Sequence, residues 1–260
     1  MPVAVLSLGS FERRQTDALT RRLSRLAPLS PQEMSIIRQT AATAYPVPAG
    51  AELHAEGELL HKPGALFAGW ACRLRMLADG RRQIFDFLIP GDVFGIATPC
   101  GPHALTSAVT LTPARIAGVG CLREMVDEPQ RFPGLARAWV TAQVRQDACL
   151  LNQVVRLGRQ TAYERIAHLL LELSCRLDEI GLAIGTFVPM PLTQEVIGDA
   201  LGLSVVHVNR TLQQLRREHL IELRASSMRV LKPEALAAIA EFRLPQIASP
   251  ALSPPGPTRI

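Results

Sequence analysis

Pro191-Leu192-Thr193-Gln194-Glu195-Val196-Ile197-Gly198-Asp199-Ala200-Leu201-Gly202-Leu203-Ser204-Val205-Val206-His207-Val208-Asn209-Arg210-Thr211-Leu212-Gln213-Gln214-Leu215 is the stretch that decides the architecture. Thr193 is placed to cap a helix, because its hydroxyl can accept from a backbone N–H of the first turn. Val196, Ile197, Ala200 and Leu201 then fall on one face of a short helix. Gly202 ends it, since a tight turn needs a residue that takes left-handed φ without a Cβ clash. Ser204 caps the next helix at once, and Val208, Leu212 and Leu215 form its core side. Two short helices joined by a three-residue turn with glycine at this spacing predict a helix-turn-helix.

The outward face of the second helix carries Val205, Val206, His207, Asn209, Arg210, Gln213 and Gln214, with Arg216 and Arg217 following. Long planar donors beside small apolar groups suit a reader of the DNA major groove. Arginine can bond guanine O6 and N7 together, and a small side chain can touch a thymine methyl. A competing reading makes the chain a ligand-binding module whose helical hairpin docks a protein partner, which calls for an apolar contact face. Beyond the hairpin, Leu220-Ile221-Glu222-Leu223 and Met228-Arg229-Val230-Leu231 flank a polar turn and predict a two-stranded wing.

Upstream the texture changes twice. From Tyr45 to about Val119, short apolar runs are punctuated by glycines at 50, 57, 64, 69, 80, 91 and 95, as in an all-β unit with frequent turns. In Cys72-Arg73-Leu74-Arg75-Met76 apolar and basic residues alternate, so one face should lie inward. Asp79-Gly80 supplies a hairpin turn, and the return strand Ile84 to Ile89 stacks Phe85, Phe87 and Ile89 on one face. A β-barrel or roll is the natural closure. After Pro133, Val140, Val144, Ala148, Leu151 and Val155 recur at helical spacing along a helix of about 24 residues, roughly 36 Å long. A helix of that length projects beyond a small β unit, and a symmetric partner would bury its excess, so these five residues form the predicted dimerisation face. Gly158 interrupts the pattern. A second amphipathic helix follows, with Tyr163, Ile166, Leu170, Leu173 and Leu177 on one face.

The chain has 260 residues, 48% of them apolar and 20% charged, which fits ordinary globular usage and more than one domain. No apolar run approaches the ~18 residues needed to span a bilayer, and Met1 to Ser10 lacks a basic region ahead of its short apolar run. Five cysteines (72, 100, 121, 149 and 175) lie 28, 21, 28 and 26 residues apart. That dispersed odd set reads as buried thiols in a reducing cytoplasm rather than a disulfide framework. The formal net charge of +5 permits a polyanionic partner without requiring one. Lys62 and Lys232 are the only lysines, and the weight of arginine reads as compositional bias.

With the helix-turn-helix, long helix and β unit in hand, the string from Leu192 to Leu215 resembles the DNA-binding motif of the Crp/Fnr family of bacterial transcription regulators. Asp79-Gly80-Arg81-Arg82-Gln83-Ile84 and Pro90-Gly91-Asp92-Val93-Phe94-Gly95 resemble that family's β-roll, and the likeness covers roughly residues 31 to 243. It implies an α+β chain. An N-terminal lead-in (1–30) precedes a cyclic-nucleotide-binding-like β-roll sensor (31–125), a long dimerisation helix (126–157) and a winged helix-turn-helix domain (158–243). The last stretch, 244–260, with five prolines, should be disordered. The resemblance further implies a homodimer on two-fold symmetric double-stranded DNA, with RNA polymerase as a further partner and no membrane. Residue by residue, Thr193, Gln194 and Ser204 match phosphate-contacting positions and Arg210 matches a base-contacting arginine. Val206 stands where many members carry a glutamate, so a different half-site is expected, with His207 or Asn209 reading bases instead; Val205, Val206 and Gln213 complete the candidate DNA-binding set.

The cofactors of the family are not expected. Its cyclic-nucleotide binders carry a glycine-glutamate pair and an Arg-Ser-Ala stretch, whereas here Gly95 is followed by Ile96, and Leu105-Thr106-Ser107-Ala108 has threonine in the arginine's place. A buried phosphate without its cation would be costly. No cysteine precedes Cys72, so the close thiolate cluster that an iron-sulfur centre requires is missing. His54, His61 and His103 are isolated candidates for heme ligation, and a lone histidine is more often a surface or core residue. Cys175 is a candidate redox switch whose buried-thiol reading is favoured. No nucleophile elbow, phosphate loop or metal-spaced His/Glu motif supports an enzyme. A small-molecule, redox or gas signal at the β-roll remains the expected form of control.

Overall fold

The computed structural model describes residues 17–61, 63–96, 102–183 and 186–242. The expected disordered tail at 244–260 lies outside the described residues.

The described residues begin with two helices, α1 (Ala18–Leu26) and α2 (Pro31–Ala42). Leu19, Leu23 and Leu26 of the lead-in are buried in a cluster with Phe67, Leu135 and Trp139. Leucines at i, i+4 and i+7 make a narrow stripe, and the partner that covers it lies far away in sequence. Ser30 and Glu33 form a reciprocal capping box on α2.

Among the described residues the β unit holds eight strands, β1 (Tyr45–Val47), β2 (Glu52–His54), β3 (Gly64–Ala68), β4 (Ala71–Met76), β5 (Arg82–Leu88), β6 (Val93–Phe94), β7 (Ser107–Thr110) and β8 (Ala114–Gly118). They form two four-stranded antiparallel sheets, ordered β1-β8-β3-β6 and β2-β7-β4-β5, which is the expected roll. Gly80, at φ 85°, turns the β4–β5 hairpin. Its alternation differs from the sequence reading. The register shifts between Arg73, opposite Asp86, and Leu74, opposite Ile84, leaving Phe85 as the extra residue of a bulge. Ile84, Phe87 and Ile89 therefore share the core with Cys72 and Leu74, while Phe85 is half-buried and Met76 is exposed.

After α3 (Gly120–Val126), α4 runs over Pro133–Arg159, 27 residues or roughly 40 Å. Gly158 does not break it, and the chain turns extended two residues later at Gln160. Thr161 then caps α5 (Ala162–Glu179) through a second capping box with Glu164. The helix-turn-helix follows as α6 (Gln194–Leu201) and α7 (Val205–Arg217). The wing gains a strand over the expected two: β9 (Val188–Pro189) pairs with β11 (Ser227–Val230), which pairs with β10 (Ile221–Arg224). The last described helix, α8, covers Pro233–Ala240.

One apolar cluster joins the two halves. Trp70, Cys72, Leu74, Ile84, Phe87 and Ile89 of the roll are continuous with Ile166, Leu170, Leu173, Leu201, Leu212 and Leu236 of the helical part. Of the described cysteines, all free, Cys72 is buried, Cys149 and Cys175 are half-buried, and Cys121 is exposed, against the expectation of burial. Cys100 lies outside the described residues.

Candidate nucleic-acid interface

Local chemistry builds the helix-turn-helix as the sequence predicts. Thr193 has extended backbone and its hydroxyl accepts from Val196 N–H at 3.2 Å. Gly202 adopts φ 65°, and its N–H closes on Gly198 C=O. Ser204 accepts from His207 N–H at 3.3 Å. The sequence reading gave Gly198 no role, yet a Cβ there would sit 2.5 Å from Leu203 C=O, so only glycine lets the turn pass this close. Val208, Thr211, Leu212 and Leu215 face the core.

The opposite side of α7 is open. Val205, Val206, Asn209, Arg210, Gln213, Gln214, Arg216 and Arg217 are exposed, His207 is half-buried, and Thr193 and Ser204 are exposed at the two helix starts with Gln194 half-buried. No carboxylate interrupts α7, while Arg216 and Arg217 close its last turn. Gln214 donates to Glu218, which also accepts from the Tyr163 hydroxyl. Arg210 makes no ion pair or side-chain hydrogen bond among the described residues. A mixed polar and small-apolar surface of this kind fits groove edges better than an apolar protein-docking face.

The helix-turn-helix leans on the roll through groups the sequence reading missed. Arg82 of β5 donates to Asp199 of α6 from Nε at 2.9 Å and from Nη2 at 2.6 Å, and it reaches Glu195 at 3.5 Å. These are the carboxylates of α6, and the pairing offsets their negative charge. Gln83 donates to Ala200 C=O at 3.2 Å, and Gln153 of α4 bridges Ala200 C=O and Ile84 C=O. Gln153 and Arg156 break the apolar pattern on the buried side of α4, the one local signal that polar joints lie there.

A buried charge cluster lies deeper. Asp86 and Asp92 are held by Arg22, Arg73 and Arg176. Burial alone would raise the pKa of Asp86, but Arg176 and Arg73 beside it hold its carboxyl below the usual range. Arg73 also lines a cavity of about 410 Å3 in the roll, with His54, Gly95, Ile96, His103, Thr106 and Gln146 among its neighbours. Gly95 and Thr106, the positions compared with cyclic-nucleotide binders, thus line the same cavity, and the Arg73 guanidinium that also lines it donates to Asp86. Burial lowers the pKa of His54, while His61 and His103 are exposed. Among the described residues no group of three or more His, Cys, Asp or Glu side chains is arranged to hold a metal ion.

The predicted dimerisation face is bare. Val140, Val144, Leu151 and Val155 are 56%, 48%, 66% and 49% exposed, and Ala148 is half-buried between them. Val154, which the sequence reading passed over, adds a further exposed apolar side chain.

A β-roll joined by a long helix to a winged helix-turn-helix defines a class, the DNA-binding transcription regulator. The Crp-like helix-turn-helix domain family matches residues 164–239. The nitrogen fixation regulation protein FixK of Rhizobium meliloti (strain 1021) is 34% identical over 191 residues, 73% of this chain and 83% of the relative. The transcriptional activatory protein AadR of Rhodopseudomonas palustris is 31% identical over 190 residues, 72% of this chain and 77% of the relative. The solved structure of FixK2 from Bradyrhizobium japonicum aligns with a TM-score of 0.66 at 26% identity, covering 78% of this chain and 98% of that one. The chain belongs to the Crp/Fnr family of transcription regulators, which are DNA-binding proteins and not enzymes. Among the described residues no helix is long and apolar enough to cross a membrane.

Proposed function

We propose that two copies of this chain pair along α4 and read two-fold symmetric DNA in the cytoplasm through paired copies of α7. The observation that carries this reading is the division of α7, with Val208, Leu212 and Leu215 buried and Val205, Val206, Asn209, Arg210 and Gln213 open. Thr193, Gln194 and Ser204 hold phosphates, Arg210 reads a base, and Val205, Val206, His207, Asn209 and Gln213 shape the remaining preference. A small-molecule, redox or gas signal at the roll sets the activity, and RNA polymerase is the partner at the promoter. Selection of duplexes from a random library by the purified protein tests the reading. A symmetric motif with half-sites about one helical turn apart is the expected result. Enrichment of no motif, or of a single unrepeated half-site, overturns it.

The exposed stripe on α4 supports the dimer, because the same surface on a second copy covers it in an isologous contact. Burying one leucine or valine contributes about 1.5–3 kcal/mol, and a two-fold contact counts each side chain twice. Leu151→Asp is therefore expected to weaken self-association by roughly a thousandfold, read by sedimentation equilibrium. A variant that stays dimeric at the wild-type concentration would place the interface elsewhere.

A further inference from the structure

Arg176 belongs to the matched helix-turn-helix region, yet its side chain is spent on the roll. It stands near the end of α5 and is 12% exposed. Nη2 donates to Asp92 at 2.8 Å and to Phe87 C=O at 3.0 Å, and Nη1 reaches Asp86 Oδ1 at 3.5 Å. The other oxygen of Asp86, Oδ2, accepts from Arg73 at 3.0 Å and from Gln146 of α4 at 3.3 Å. Arg73 and Gln146 both line the roll cavity of about 410 Å3. One buried carboxylate is thus shared between the cavity wall, the long helix and the DNA-binding region. Arg22 of α1 closes the cluster from the far side, at 2.6 Å from Asp92.

A buried ion cluster is stiff, because its members have no water to exchange for one another and each lost contact strands a desolvated charge. β5 carries Asp86 in this cluster and also Arg82 and Gln83 on α6, so one strand touches the DNA-binding region at two separate points. Neither contact covers the exposed side of α7. The arrangement supports a reading posture rather than blocking one.

We propose that Arg176 is the positioning residue that fixes the angle of the recognition helix to α4, and that Asp86 makes this angle answer to the cavity through Arg73 and Gln146. In a dimer built on α4, that angle sets the distance between the two copies of α7, and with it the spacing of half-sites the protein accepts. The inference rests on the dimeric reading proposed above. Any occupant of the cavity that draws Arg73 or Gln146 away from Asp86 loosens the grip on Arg176. The effect at the DNA is a change of spacing preference, not of base preference.

The test uses the full chain and duplexes carrying the selected motif with the spacer at its preferred length or one base pair shorter or longer. Wild type is expected to favour one spacer. Arg176→Gln is expected to bind that spacer about tenfold more weakly while the altered spacers stay within about twofold, the range of coupling carried by such elements. Base preference within each half-site is expected to hold, and Arg176→Lys, which can still reach one carboxylate, is expected to recover most of the spacer discrimination. A general loss of folding lowers the active fraction on all duplexes alike and does not flatten this ratio. Arg73→Gln, outside the helix-turn-helix region, is expected to flatten it about threefold and serves if Arg176→Gln does not fold. Unchanged spacer ratios in Arg176→Gln, or in both variants, overturn the positioning role, and flattening in Arg176→Gln alone overturns the link to the cavity. A wild-type protein with no spacer preference overturns the dimeric reading and this proposal with it, and is told apart because the failure is already present before any substitution.

Discussion

Arginine does two different jobs in this molecule, and the contrast lies between the junction of the two halves and the face of α7. At the junction, Arg73, Arg156 and Arg176 are paired with Asp86, Glu172 and Asp92, with side chains at most about a quarter exposed. On α7, Arg210 and Arg217 are exposed, and neither makes an ion pair among the described residues. The guanidinium is the same; its surroundings differ. A buried guanidinium must be neutralised, so its partners fix architecture. An exposed one without a partner keeps its charge and its five donors free for a ligand that arrives later. The compositional bias toward arginine therefore does not settle what any single arginine does, whereas burial and pairing do.

The comparison breaks most sharply at Arg156. Its Nη1 lies 3.0 Å from Glu172 with both side chains almost fully buried, and its Nε donates to Gln153. Arg156→Met leaves Glu172 charged and almost fully buried, with Asn152 as its remaining hydrogen-bond donor among the described residues. The expected cost is about 3–5 kcal/mol of folding stability, read by urea denaturation of the full chain. If the variant loses less than about 1 kcal/mol, the junction arginines are not architectural and the contrast fails.

At Arg210 the expected pattern is the reverse. Arg210→Ala strands no buried charge and should leave the unfolding midpoint unchanged. Its loss from a base edge is expected to weaken the best site by about 1–3 kcal/mol and to flatten preference at one base pair. The measurement is a competition titration against duplexes varied at each position. An affinity loss equal on all duplexes would move Arg210 from the base readers to the phosphate contacts.

How much of this was legible beforehand follows the range of the forces involved. The helix-turn-helix could be read residue by residue because Thr193, Gly202 and Ser204 act on their immediate neighbours. The helical spacing of the stripe on α4 was equally local. The bulge at Phe85 was not legible, because strict alternation carries no sign of where a register slips. Nor was the burial of α1, whose leucines are covered by Phe67 and Trp139 from distant segments. Arg82 and Asp199 are 117 residues apart, and Arg176 and Asp86 are 90 apart, so no spacing rule could pair them. The helix-turn-helix could thus be read from sequence, while the joints that orient it could not.

The smallest expected effect sharpens the contrast within α7 itself. Arg217 lies seven residues after Arg210, two helical turns along the same face, and stands at the end of the helix where a groove reader meets the backbone. It makes no ion pair among the described residues, and the nearby Glu218 carboxylate accepts from Gln214 and Tyr163. Removing one phosphate contact costs affinity evenly, because the phosphate carries no sequence information. Arg217→Ala is expected to weaken all duplexes by a similar few-fold factor and to lower the slope of log affinity against log salt by about one. The readout is therefore a salt series on the best site and on one unrelated duplex. A loss confined to the best site, with the salt slope intact, would make Arg217 a base reader and extend the specificity surface by two turns.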